Sequence, residues 1–261
     1  MDYGKNIIDM TRHPIDDLNG YAIHCREYLK KNSILILNKF LTKDALLELQ
    51  KEAKSLQDKA FYCSQNHNVL LTKKNILLED NHPCNINVVS DKGCIPHDLV
   101  PPNSYLETIY TSKIFQQFIQ SVLCIDKIYP YADSLSSINY NFFQNNQQLG
   151  WHFDNASFAI TLMIQSSRSG GKFQYVVDAR NVEKNIVNLP LIESVLQNKY
   201  PVEELQIEDG TLVLFYGRNY LHRVTPITST IPRILATLNY NLEQDIELAE
   251  DARLTFFGRL H

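Results

Sequence analysis

The second half of the chain, after Tyr129-Pro130, consists mostly of short apolar segments separated by turn residues. Segments of about four to eight residues that are rich in β-branched and aromatic side chains are typical of strands. We predict strands at 135–143, 150–153, 158–165 and 172–177, and three more that begin at Thr211, Arg223 and Arg233. Many short strands joined by turns favour a sandwich or barrel, and about eight strands in two sheets would form a jelly roll. The predicted fold class is therefore mainly β, with a jelly-roll core and with N-terminal and flanking helices.

The first half of the chain contains apolar residues at helical spacing. We predict helices over 15–31, from an N-cap at Thr42 to Leu56, over 104–109 and over 112–123, with a short strand at 33–37 and a short helix later at 188–198. A length of 261 residues fits one domain with a large core. We expect a single domain over 1–261, in which 1–128 gives helical and mixed support, 129–245 is the core, and 246–261 packs back on the body.

The segment 62–102 is polar, with frequent Asn, His, Lys and Pro, and short strands could lie at 69–71 and 86–89. Two interpretations stay open. A long polar segment in a compact enzyme is often a lid or substrate loop, and it can equally be an ordinary surface excursion.

Leu149–Asn155 is the stretch with the clearest chemical meaning, because His152 and Asp154 are two residues apart in it. On an extended strand this spacing points both side chains to the same face. An imidazole and a carboxylate on one face are two ligands of a facial triad, which binds ferrous iron and leaves positions open. His222, next to a buried strand that begins near Thr211, is the best candidate for the third ligand. Taken alone, each of these residues could have only a structural role.

The set His152-x-Asp154, then His222, then Arg233 resembles the iron(II)/2-oxoglutarate-dependent oxygenases. The resemblance implies a double-stranded β-helix (cupin-like) core and a dioxygenase that uses Fe(II), 2-oxoglutarate and O2, with ascorbate as a stimulant. It assigns the distal carboxylate of 2-oxoglutarate to Arg233, whose guanidinium can bind a carboxylate bidentately. Many relatives carry glycine before this arginine, where the present chain has Pro232.

Further site residues follow from this resemblance and from strand alternation. Similar oxygenases place polar residues near the cosubstrate at the positions of Gln165 and Asn141, with Tyr140 as the neighbouring possibility on the opposite face. The candidates to bind a polar substrate, each of which could instead make structural hydrogen bonds, are Asn155, Thr237, Asn239 and Tyr140.

The strings around Gly150–Asp154, Phe158–Gln165 and Gly170–Tyr175 look closest to the branch of free-amino-acid radical halogenases, lysine halogenase among them, and their hydroxylase relatives. Those halogenases carry glycine where this chain carries Asp154, and the missing carboxylate opens a position for chloride. Because the carboxylate is present here, the resemblance implies a hydroxylase, with a small free amino acid as the substrate.

Composition excludes several other classes. The net charge is −4, without a basic block, so nucleic acid is not an expected partner. No apolar run approaches the length of a membrane span, and the first residues lack the apolar region of a signal peptide. Five cysteines without a Cys-x-x-Cys pair indicate reduced thiols in a cytoplasmic enzyme. A zinc site made by Cys84 and Cys94 with His82 and His97 is a minor alternative.

Three functional alternatives remain beside hydroxylation of a free amino acid. The first is the same chemistry on a peptide, a carrier-bound amino acid or a lipid-like acid, and the first two of these would need an open groove. The second is another oxidative outcome, such as desaturation or cyclisation. The third is a non-enzymatic jelly-roll binding protein, in which Asp154 buried beside two imidazoles without a cation would be an uncompensated charge that costs several kcal/mol.

Overall fold

The computed structural model describes residues 7–261, which form two facing β-sheets with helices packed around them. The helices are α1 (Tyr21–Asn32), α2 (Lys43–Leu56), α3 (Tyr105–Thr111), α4 (Lys113–Leu123), α5 (Leu189–Leu196) and α6 (Glu250–Phe257). The strands are β1 (Ile34–Leu37), β2 (Phe61–His67), β3 (Val88–Ile95), β4 (Ile138–Phe143), β5 (Leu149–His152), β6 (Ala159–Gln165), β7 (Phe173–Val176), β8 (Arg180–Asn181), β9 (Ile186–Val187), β10 (Glu203–Leu205), β11 (Leu212–Phe215), β12 (Leu221–Val224) and β13 (Arg233–Leu238).

The larger sheet has seven strands in the order β1-β11-β6-β13-β4-β3-β2, and the smaller has four in the order β10-β7-β12-β5. Every pairing in both sheets is antiparallel. Apart from β2, β3 and β4, the neighbouring strands of both sheets are not consecutive in sequence, as in a jelly roll, where consecutive strands cross between the sheets. The predicted fold class is confirmed: a mainly β fold with a jelly-roll core and flanking helices, in two sheets that do not close into a barrel.

The main core lies between the helices and the outer face of the larger sheet. In β6, Ile160, Leu162 and Ile164 face this core, whereas Ala159 and Thr161 face the smaller sheet, as the alternation of the sequence predicted. The outer face thus supplies most of the buried apolar area that stabilises the fold. The inner face is left free to line a cavity.

Most predicted helices are confirmed, with α1 the main exception at its start. The helix begins at Tyr21 and not at Ile15. The carboxylate of Asp17 accepts hydrogen bonds from the backbone N–H groups of Gly20 and Tyr21, both at 2.9 Å, so the preceding residues form a turn. At α2, the Thr42 side chain accepts from the N–H of Ala45, which confirms the predicted N-cap.

The segment 62–102 departs furthest from expectation, because it contains two strands of the larger sheet. Strands β2 and β3 form a long antiparallel hairpin, and β3 then pairs with β4. The predicted strand at 69–71 is wrong: the Asn68 side chain accepts hydrogen bonds from the N–H groups of Leu70 and Thr72, which turns the chain there. Residues 68–87 form the loop of the hairpin, and the predicted strand at 86–89 is only the beginning of β3.

The C-terminal segment lies against this hairpin. Helix α6 contacts β2 and β3, and Phe257 is buried in a small cluster with Cys94 and Leu135. Within residues 7–261 no helix combines the length and the apolar character needed to cross a membrane.

Candidate metal centre

Three side chains from two neighbouring strands of the smaller sheet converge between the sheets. His152 ends β5, Asp154 follows two residues later, and His222 is directly opposite His152 in the β12–β5 pairing. The Nε2 atom of His152 lies 3.4 Å from Oδ1 of Asp154, and the Nε2 atom of His222 lies 3.6 Å from the same oxygen. One ligand atom from each residue lies within 4.8 Å of the others. The three can therefore bind one ion.

Backbone carbonyls fix how the two imidazoles face the ion. The Nδ1–H of His152 donates to the carbonyl of Gly150 at 2.8 Å, and the Nδ1–H of His222 donates to that of Tyr220 at 2.9 Å. With Nδ1 protonated in this way, each Nε2 presents its lone pair to the centre.

The electrostatics of the cluster fit a divalent metal. Burial alone would raise the pKa of Asp154, but His222 and His152 together outweigh it and lower the pKa, so the side chain is a carboxylate. Burial, and then the neighbouring His222, lower the pKa of His152, which favours the neutral imidazole. Two imidazole nitrogens and one carboxylate oxygen form the donor set of the facial triad that holds non-heme Fe(II).

Gly217 provides the room for the Asp154 carboxylate. The backbone N–H of Asp154 donates to the Gly217 carbonyl at 3.0 Å. A Cβ atom at position 217 would lie 1.8 Å from Oδ2 of Asp154, which no side chain can do without displacing the carboxylate. Gly217 was not among the predicted site residues, and the signal for it was a glycine two residues after the end of the buried strand β11.

The triad opens into a cavity of about 290 Å³ between the two sheets. Arg233, the first residue of β13, lines this cavity and is 2% exposed. Its Nε and Nη1 atoms have no hydrogen-bond partner among the described residues, and its guanidinium lies over the ring of Phe143 at 5.4 Å. Burial lowers the pKa of Arg233 to about 10. A buried, unpaired cation of this kind requires an anion as its ligand.

Four more of the predicted site residues line the cavity: Asn141, Asn155, Thr237 and Asn239. All four also make internal hydrogen bonds, and the hydroxyl of Thr237 accepts one from the amide of Asn239 at 3.4 Å. Oδ1 of Asn141 accepts from Nζ of Lys92 at 2.5 Å, and the amide of Asn239 donates to the Ser136 carbonyl at 2.7 Å. The carbonyl of Asn155 accepts from the guanidinium of Arg218.

Gln165 and Tyr140 were predicted at the site, and the structure places both outside the cavity. The amide of Gln165 donates to the carbonyl of Pro232 at 2.8 Å, which holds the end of β6 against the turn before β13. Tyr140 lies on the outer face of β4, and its hydroxyl donates to the Glu52 carboxylate of α2 at 2.6 Å. Alternation along β4 puts Asn141 on the inner face and Tyr140 on the helix side.

Several cavity residues from the β2–β3 hairpin were not predicted, among them His67, Ser90 and Lys92, because the segment was interpreted as a lid or a surface loop. The His67 ring lies 6.2 Å from that of His152, with its Nε2 at 2.6 Å from Oγ of Ser90. That oxygen also accepts from the N–H of Gly150, so His67 and Ser90 support the strand that carries His152. Lys92, on the same strand as Ser90, also lines the cavity.

The zinc alternative is wrong. Among residues 7–261 only the cluster of His152, Asp154 and His222 has metal-binding geometry. His97 pairs with Glu107, and Cys94 is buried against Phe257.

The sequence model of the family described as HalD, Halogenase D, matches residues 19–253 of this chain. No curated protein matches the chain. Among solved structures, an oxidoreductase of the 2OG-Fe(II) oxygenase family from Burkholderia pseudomallei is 12% identical, with a TM-score of 0.54, over 88% of this chain and 94% of that one. The non-heme α-ketoglutarate-dependent carbocyclase SnoK of nogalamycin biosynthesis is 9% identical, with a TM-score of 0.57, over 85% of each chain.

A prolyl-4-hydroxylase from Pseudomonas putida is 10% identical, with a TM-score of 0.51, over 83% of this chain and 96% of that one. At these identities the likeness establishes a shared fold.

Proposed function

This chain belongs to the halogenase D family, and we propose that it is an Fe(II)- and 2-oxoglutarate-dependent dioxygenase that hydroxylates an unactivated C–H bond of a small free amino acid or a similar polar metabolite. One observation carries the proposal: a facial triad and a buried guanidinium without a partner line the same cavity. The first needs a cation and the second needs an anion. Fe(II) with bound 2-oxoglutarate supplies both charges.

Each residue has a physical task in this proposal. His152, Asp154 and His222 would hold Fe(II), which with 2-oxoglutarate and O2 supplies the oxidising chemistry. Arg233 would bind the distal carboxylate of 2-oxoglutarate, and its charge-assisted hydrogen bonds are worth about 1.5–3 kcal/mol each. The backbone carbonyls behind the two imidazoles fix their orientation, and the ring of Phe143 keeps water from the guanidinium.

The Asp154 carboxylate supports hydroxylation over halogenation. In the halogenases that the sequence resembles, glycine at this position leaves room for a halide. Here Oδ1 of Asp154 lies within 3.6 Å of both imidazole Nε2 atoms, and Gly217 leaves the carboxylate the space it needs. Three protein ligands then leave three positions for cosubstrate and oxygen.

The form of the cavity supports a small substrate. A volume of about 290 Å³ lies at the low end for ligand pockets, and 2-oxoglutarate takes part of it. The cavity is bounded by both sheets and by residues of α6, which include Ala252, Phe256 and Phe257. A free amino acid fits these limits better than a peptide, which would need an open groove.

Succinate release tests the proposal. Metal-free protein is loaded with Fe(II) under argon and given 2-oxoglutarate, ascorbate, O2 and the panel of free amino acids, and succinate and product mass are measured. We expect at least one amino acid to stimulate succinate release and to gain one oxygen atom. His222→Ala should abolish both signals, and His97→Gln, a matched histidine outside the cavity, should leave them unchanged.

The other outcomes separate the alternatives. Loss of two hydrogens would indicate desaturation or cyclisation, and replacement of hydrogen by chlorine would indicate halogenation. Iron-loaded protein that releases no substrate-stimulated succinate with any amino acid would contradict the amino-acid assignment. Protein that binds no Fe(II) would contradict the enzyme itself and leave a jelly-roll binding protein.

A further inference from the structure

The charged residues of the cavity are few and unevenly distributed. Among the described residues that line it, Asp154 is the one carboxylate, and the cations other than imidazole are Arg233 and Lys92. Asp133 does not line the cavity. Its carboxylate accepts hydrogen bonds from the hydroxyl of Ser136 and from the N–H of Leu248. With Asp154 on the metal and Arg233 on the cosubstrate, Lys92 is the one charged group left for a substrate.

Lys92 is held in place without a counterion. Its Nζ donates to Oδ1 of Asn141 at 2.5 Å and lies 4.9 Å from the ring centre of Phe256. Within residues 7–261, no carboxylate forms an ion pair with it. An amide oxygen and an aromatic face orient an ammonium group but do not neutralise it. At least one of its N–H donors therefore remains free for a ligand.

The position of Lys92 suits a substrate that reaches the metal. Lys92 and Ser90 lie on the same face of β3. They are two residues apart, and this spacing corresponds to about 7 Å along the strand. Ser90 contacts His67 and the N–H of Gly150, which places it behind the metal-binding strand. A molecule with a short carbon chain can bind Lys92 at one end and present a C–H bond near the metal at the other.

We propose that Lys92, oriented by Asn141 and Phe256, binds the carboxylate of the substrate, and that the substrates are neutral or acidic amino acids or related carboxylic acids, not basic amino acids. This rests on the proposed function, and it names the class of substrate.

The absence of a free carboxylate in the described lining is what excludes basic substrates. A side-chain ammonium brought into this cavity would lose its hydration and would meet amide and hydroxyl groups, Lys92 and the guanidinium of Arg233. A buried charge without an opposite charge is strongly unfavourable. A neutral side chain would instead contact apolar groups of the lining, among them Leu248, Ala252 and Phe257.

Arg233, and not Lys92, is the better partner of 2-oxoglutarate. Arg233 is almost fully buried, its guanidinium offers two donors side by side, and two of its nitrogens have no partner among the described residues. Lys92 is a partly exposed point charge that already donates one hydrogen bond. The two cations thus divide cosubstrate and substrate between them.

The test measures binding of matched probes by calorimetry, under argon, to protein loaded with Fe(II) and saturating 2-oxoglutarate. The probes are L-leucine with L-leucinamide, L-glutamate with L-glutamine, and L-lysine. Wild type should bind the carboxylate member of at least one pair at least about tenfold more tightly than its amide, and L-lysine more weakly than L-leucine. Lys92→Met should lose about 10- to 100-fold of its affinity for that carboxylate and little for the amide.

Two further variants make the result specific. Lys92→Arg keeps the charge and should stay within a few-fold of wild type. Lys172→Met removes an exposed lysine that is paired with Glu204 and should change nothing. The proposal is overturned if no carboxylate probe binds better than its partner, if Lys92→Met weakens both members equally, or if L-lysine binds best.

A separate titration with 2-oxoglutarate distinguishes this inference from the proposed function. Lys92→Met should bind 2-oxoglutarate as wild type does. A preference for carboxylates that depends on Lys92, found in protein that makes no succinate, would support the anion site and contradict the oxygenase. Normal succinate release with a basic substrate would support the oxygenase and contradict the anion site at Lys92.

Discussion

Replacing Arg233 by methionine should have opposite effects on the protein alone and on the protein with its cosubstrate. The guanidinium is buried with no anion beside it, so it lowers the free energy of unfolding of the protein when metal and cosubstrate are absent. Methionine fills a similar volume without a charge. We therefore expect Arg233→Met to fold more stably than wild type and to lose the response to 2-oxoglutarate.

The structure sets the size of both effects. Burial lowers the pKa of Arg233 to about 10, well below the usual value for arginine, which corresponds to about 3 kcal/mol against the charged form. Part of this gain is lost with the packing on Phe143, so we expect a net increase of about 1–2 kcal/mol in the free energy of unfolding. Because the pKa of Arg233 is lower in the folded than in the unfolded state, wild-type stability should rise only as pH increases from about 10 toward the usual pKa of arginine, and the penalty applies at all lower pH.

The loss of cosubstrate binding should be larger. Two charge-assisted hydrogen bonds of about 1.5–3 kcal/mol each correspond to a drop of at least about 100-fold in affinity for 2-oxoglutarate. At a concentration of about 100 times the wild-type Kd, 2-oxoglutarate should stabilise wild type by about 2.7 kcal/mol and the variant hardly at all. The order of stability should therefore reverse when the ligand is added.

Urea unfolding with and without Fe(II) and 2-oxoglutarate, under argon, measures all four values. Arg223→Met is the control, because Arg223 is half-buried on the outer side of β12, over the ring of Trp151, with its Nε donating to Gln174. It should lose stability and keep the full response to 2-oxoglutarate. The reasoning is refuted if Arg233→Met without ligand is less stable than wild type, or if it retains the ligand shift.

Three other predictions concern single positions. Gly217→Ala should displace the Asp154 carboxylate and weaken Fe(II) binding about 10- to 100-fold by calorimetry, and the same change in an Asp154→Gly background should weaken it no further. Tyr140→Phe should lower the free energy of unfolding by about 1–3 kcal/mol, because a buried hydrogen bond to a carboxylate is lost; a change in 2-oxoglutarate affinity would contradict the placement of Tyr140 outside the cavity. A thiol reagent at about pH 8 should modify the exposed Cys124 quickly and leave Cys94 until unfolding, because burial raises the pKa of Cys94 to about 11; equal rates would contradict that burial.

The sequence was sufficient to predict the arrangement of the triad because the rules involved are local. Side-chain alternation on a strand placed His152 and Asp154 together, and the turn and apolar run before His222 indicated a second strand. His222 lies opposite His152 because β12 pairs with β5, and these strands are far apart in sequence. Only the order of the motifs suggested this pairing. The same alternation correctly separated the two faces of β6.

The sequence failed where a side chain had a local partner that its neighbours in the chain do not reveal. Gln165 has the position of a cosubstrate residue, but its amide reaches the carbonyl of Pro232, which is close only after β6 and β13 pair. The β2–β3 hairpin was missed because polar and charged residues interrupt its apolar positions, as is permitted at a sheet edge whose inner face lines a cavity. Lys92, which we propose binds the substrate, lies in that hairpin.

The relation between Asp154 and Gly217 bears on how one site could hold either a carboxylate or a halide. The space for the Asp154 carboxylate exists because position 217 has no side chain, and it would exist equally if residue 154 were glycine. The backbone N–H of Asp154 bonds the carbonyl of Gly217, a contact that does not depend on the side chain. The fold therefore provides the same volume beside the two imidazoles whether a carboxylate or a halide fills it. On this reasoning, residue 154 would decide whether a carboxylate or a halide occupies this volume. A side chain at position 217 would fill the volume and exclude both.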